Sequence, residues 1–63
     1  MTIAAKSAYL TALIGQSQQR EAQHETSLAG ATTRHDTQAS RYRLEQEQAR
    51  QGELRAERAA LPA

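Results

Sequence analysis

The chain has 63 residues, a formal net charge of +1, and no cysteine, tryptophan, phenylalanine or valine. Its 6 Leu and 2 Ile are too few for a large core, and its charge is too balanced for a disordered polyelectrolyte. The absence of cysteine excludes a disulfide framework or a thiolate metal site. The filling is Ala (13), Gln (8), Arg (7) and Glu (6), all good helix formers. Such a composition predicts an all-α chain that relies on another helix, or another molecule, for its burial.

The N-terminal segment reads IAAKSAYLTALI over positions 3–14. Lys6 is its only cation and its apolar runs span three residues. It therefore matches neither a signal peptide nor a membrane span of about 20 apolar residues. The expected location is the cytoplasm, or an assembly built there such as a virion.

At 100° per residue, Ile3, Lys6, Leu10, Leu13, Ile14, Ser17, Glu21, His24 and Leu28 fall on one stripe. Leu28 keeps register with Leu10 across five turns, so helix one is expected to continue through the Gln-rich middle. The apolar end would hold the structure together, and the polar middle would set its register.

The joint lies in SLAGATTRHD. Gly30 suits the C′ position of a helix ending near Leu28 or Ala29. Thr33, with Asp36 three residues on, offers an N-cap and an acid in the first turn. The prediction is one unit over 1–63, with helix one at 2–29, a turn at 30–33 and helix two at 34–61, stopped by Pro62. Equal arms favour a two-helix antiparallel hairpin with coiled-coil-like packing in an oligomer or complex. One long, possibly kinked helix is the alternative.

Folding back about the joint pairs positions whose numbers add to about 64. Leu10 then faces Leu54, Ile3 faces Leu61, and Ile14 faces Ala49 or Arg50. Helix two has two distinct faces. Ala39, Tyr42, Ala49, Ala56 and Ala60 make a small-residue seam, and Leu44, Leu54 and Leu61 lie roughly opposite. With Leu44 at a, the a and d positions read Leu44, Glu47, Gln51, Leu54, Arg58 and Leu61, so half are polar and a strong autonomous coiled coil is not expected. Two adhesive faces suggest helix one as one neighbour and a partner chain as the other.

Catalytic chemistry finds no foothold. Glu21-x-x-His24 has the spacing used in di-metal carboxylate bundles, but it lacks an apolar shell and further ligands. His35 and Asp36 are adjacent on a helix and diverge, so neither orients the other. The three glycines are isolated and frame no phosphate loop or nucleophile elbow. We therefore expect a non-enzymatic protein with no catalytic residue, no cofactor and no metal.

Arg41, Tyr42, Arg43 and Arg50 form the segment best suited to nucleic acid, since cations interleaved with an aromatic grip phosphates and stack on bases. Helix two also carries Asp36, Glu45, Glu47, Glu53 and Glu57. The spacings Arg41–Glu45, Arg43–Glu47 and Glu47–Arg50 predict ion pairs along the helix that compensate this face. Nucleic acid is thus the subordinate reading, and a membrane surface fits less well because the N-terminal face has only Lys6.

The expected function is protein–protein interaction. Ile3, Tyr9, Leu10, Leu13, Ile14, Leu28, Tyr42, Leu54 and Leu61 are the candidate partner-binding residues, with the anchor pattern of a helix entering a groove. The partner would be another protein, further copies of this chain, or both. The chain would serve as a small structural or assembly subunit of a multi-subunit particle, such as a virion or secretion machine. A small helical chaperone or adaptor is the alternative. Replacing Leu10 and Ile14 by Asp is expected to abolish association.

Overall fold

A computed structural model describes residues 1–62. It contains two α-helices, α1 (Ile3–Ala29) and α2 (Arg34–Ala59), packed side by side. Contacts run in opposite directions along the two helices: Thr11 meets Arg58, and Ser17 meets Glu47. The chain is therefore an antiparallel hairpin, 47 Å long and 15 × 14 Å across. A continuous 60-residue helix would be about 90 Å long. The single-helix alternative is excluded.

Each helix begins at a threonine cap. Thr2 is extended (φ −70°, ψ 162°), and its hydroxyl accepts the Ala5 N–H at 3.0 Å. Thr33 does the same for the Asp36 N–H at 3.0 Å, and the Asp36 carboxylate lies in the positive first turn of α2. Thr37 adds a bond from its hydroxyl to the Thr33 carbonyl at 2.8 Å.

The reversal itself differs from expectation. Gly30 sits at φ −89°, ψ −2°, within the right-handed region, and no described residue has a positive φ. Its N–H donates to the Thr26 carbonyl at 3.1 Å, and the Ala31 N–H donates to Leu28 at 3.2 Å. The helix closes by tightening its last turn, so the conformational freedom of glycine is not used. The far end also stops early: α2 ends at Ala59, two residues short of 61. The Pro62 ring disfavours helical backbone at Leu61, whose N–H instead closes a tighter turn onto Arg58 at 3.2 Å.

The interface is apolar at one end and polar in the middle. Leu10, Ile14 and Leu54 are buried, and Leu13 and Leu61 pack against them. Leu10 and Leu54 share this core as the fold-back register predicts. Ile14 joins them there, whereas Ala49 and Arg50, its expected partners, are exposed. Ile3 remains 48 % exposed, so Leu61 does not cover it as expected.

The a and d series read from Leu44 supplies the face of α2 that α1 covers. Glu47, Gln51 and Leu54 are buried, and Leu44, Arg58 and Leu61 are half-buried. The alanine seam lies away from α1, with Ala49, Ala56 and Ala60 exposed and Ala39 half-buried.

Candidate functional site

The residues proposed for partner binding separate into three groups. Leu10, Ile14 and Leu54 are inside the hairpin, so α2 itself covers Leu10 and Ile14. Leu10 and Ile14 lie one helical turn apart on the same face of α1, so Leu54 packs with both in one cluster. Leu13, Leu28 and Leu61 are half-buried at the edges of the interface. Ile3, Tyr9 and Tyr42 stand in solvent, at 48, 54 and 63 % exposure, and Met1 joins them at 90 %. Met1 and Ile3 lie at the N-terminal end of α1, and Tyr9 follows within its first two turns.

In the middle of the hairpin, Ser17 and Glu47 form a buried polar layer. Ser17 is fully buried and donates its hydroxyl to Glu47 Oε2 at 3.0 Å. Arg20 Nε donates to the other carboxylate oxygen, Oε1, completing an ion pair across the helices. Burial pushes the Glu47 carboxyl upward. The hydrogen bonds from Arg20 and Ser17, with the charges of Arg20 and His24, outweigh it and hold the group below the ordinary glutamate range.

This layer corrects the reading of Glu47 as a surface partner of Arg43 and Arg50. Among the described residues, Arg20–Glu47 is the only ion pair within 4.0 Å, and the predicted Arg41–Glu45 and Arg43–Glu47 pairs do not form. An exposed i,i+4 pair gains only about 0.3–0.5 kcal/mol. Glu47 gains more by accepting two donors in a place shielded from water. The sequence carried the signal: Ser17 lies on the α1 stripe, Glu47 lies in the α2 heptad frame, and the fold-back register pairs 17 with 47.

Two further polar residues share the interface. Ser40 is buried, and Gln51 is only 4 % exposed. The Gln51 carbonyl accepts from Arg55 at 3.4 Å, but its buried amide nitrogen has no partner. Arg58 spans the helices lower down, donating to the Thr11 hydroxyl at 3.3 Å.

Beside the polar layer runs an open groove, lined on α1 by His24 and on α2 by Tyr42, Arg43, Glu47, Arg50 and Glu53. Arg41 is exposed but does not line it. Glu21 and His24 are half-buried, and no group of three His, Asp or Glu side chains among the described residues could hold a metal ion. His35 and Asp36 are exposed at the turn end. No described helix is long and apolar enough to cross a membrane. No protein-family model matches this chain, and neither a curated protein nor a solved structure matches it.

Proposed function

We propose that the hairpin works by binding protein, as a non-enzymatic structural or assembly subunit. The observation that carries this reading is the exposure of Met1, Ile3 and Tyr9 at one end of a hairpin in which, among the described residues, only three apolar side chains are buried. Burying one such side chain contributes on the order of 1.5–3 kcal/mol, and this end is where an added surface would gain most. The surface area of 4617 Å² exceeds the roughly 4000 Å² expected of a compact 6.9 kDa protein, so an unusually large fraction is available for contact. The setting we favour is a minor component of a multi-subunit particle, such as a virion or secretion machine. This preference rests on small size and helix-forming composition alone. A chaperone-like adaptor would use the same surface.

The burial pattern changes the experiment. Charging Leu10 or Ile14 would unfold the hairpin before it tested association. Ile3→Asp with Tyr9→Gln leaves the buried core untouched, and Asp at position 3 suits the first helical turn. Sedimentation velocity of the full chain should show a smaller assembly for the double variant than for the parent at unchanged helicity. An unchanged sedimentation coefficient would reject the reading.

A further inference from the structure

The inward rotation of Glu47 alters the charge pattern along α2. Arg43 and Arg50 are separated by seven residues, about 10.5 Å along the helix, and lie on one flank. Glu47 stands midway between them in sequence, and would neutralise both if it lay outside. Instead it is 7 % exposed and its two oxygens are taken by Ser17 and Arg20. Arg43 and Arg50 have no carboxylate within 4.0 Å. Tyr42, 63 % exposed, and His24 of α1 line the same groove.

We propose that this groove binds single-stranded nucleic acid, with Arg43 and Arg50 on two phosphates and Tyr42 stacked against a base. An exposed aromatic beside spaced guanidinium groups supplies both contacts that such a strand needs. An open groove also suits a flexible chain, whose unpaired bases are free to stack on an exposed aromatic. Glu47, already paired with Arg20, and the unpaired Glu53 line the same groove, so binding is weak and confined to a short stretch. This activity is separate from protein association at Ile3 and Tyr9, which are not among the groove residues.

The test is fluorescence anisotropy of a labelled 20-nucleotide oligodeoxythymidylate titrated with the full chain between 25 and 200 mM salt. Binding is expected to weaken steeply with salt. Arg43→Ala with Arg50→Ala should flatten the log–log slope by about 1.4, since each phosphate contact on a single strand contributes about 0.7. Tyr42→Ala should reduce affinity about fivefold or more while leaving the slope unchanged. Arg34→Ala with Arg41→Ala, both exposed and outside the groove, serves as the matched loss of two charges. Circular dichroism verifies that all three variants stay helical, as expected for exposed side chains. The proposal is overturned by an absence of binding at 25 mM salt. It is equally overturned if the Arg43/Arg50 variant shows no greater change of slope than the Arg34/Arg41 variant, or if Tyr42→Ala binds as well as the parent chain.

Discussion

Glu47 accepts hydrogen bonds from Ser17 and Arg20, so one α2 carboxylate is held by two donors spaced three residues apart on α1. Residues three apart share a helix face, so both donors can reach the carboxylate only when that face opposes position 47. Sliding the helices by one turn would carry Ser17 and Arg20 away from Glu47 and leave the buried hydroxyl and carboxylate without each other. Each stranded group would then cost about 1–3 kcal/mol. The polar layer thus acts on alignment more than on adhesion.

Removing the carboxylate should therefore weaken the hairpin measurably. We expect Glu47→Ala to lower stability by about 1–3 kcal/mol, because Ser17 loses its acceptor in a buried place. The Arg20 side chain is 43 % exposed and regains water, which moderates the loss. Urea titration followed by circular dichroism measures the difference. Parent-like unfolding would show that the layer contributes nothing.

The same residue sets a dependence on acid. Its folded pKa lies below the unfolded value of about 4.3, so its stabilising contribution is complete above that value. The contribution is lost as pH falls through the unfolded value towards the lower, folded one. Thermal midpoints should decline between about pH 5 and pH 3, and less so in Glu47→Gln, which cannot ionise. Parallel pH profiles for the two proteins would contradict this assignment.

Gln51 offers the opposite outcome. Its amide nitrogen is buried without a partner, and it lies between Glu47 and Leu54 in the interface frame. Gln51→Leu removes the unpaired donor and adds apolar area beside the core. A gain of about 1–2 kcal/mol is expected, since an unsatisfied buried donor costs about that much. The exposed Arg55, which loses its acceptor, turns to solvent. A lower urea midpoint in this variant would sink the argument.

The glycines give a third comparison. A Cβ added at Gly15 or Gly52 meets nothing within 4 Å, and both lie within helices. Gly15→Ala and Gly52→Ala should each raise stability by about 0.5–1 kcal/mol. Gly30→Ala should be tolerated, because φ is −89° and its nearest neighbour would be the Thr26 carbonyl at 3.6 Å. Thermal melts of the three single variants separate these expectations. A large loss at Gly30 would show that the turn needs glycine.

Leu54 is the only buried leucine that α2 contributes to the core. Leu54→Ala is expected to lower stability by about 2–5 kcal/mol, enough to unfold most of a chain this small. Loss of the far-ultraviolet helical signal at 25 °C is the readout. Retention of full helicity would mean that the apolar end is not what holds the hairpin.

Local chemistry determined the helices and their joint without help from tertiary structure. Alanine, glutamine, arginine and glutamate impose helix everywhere they are dense, and Thr33 with Asp36 starts α2 where the N-cap rule places it. The stripe from Leu10 to Leu28 and the frame from Leu44 to Leu61 named the two faces that meet, because burial follows the 3.6-residue period. What the sequence could not decide was the choice among partners for one carboxylate. Glu47 has arginines three and four residues away on its own helix, and these satisfy the same spacing rules that would place it on the surface. Only the packed hairpin brings Ser17 and Arg20 to it in a place where water is excluded and two donors outweigh an exposed pair. The same packing decided that Leu10 and Ile14 are covered from within the chain, while Ile3, Tyr9 and Tyr42 remain outside.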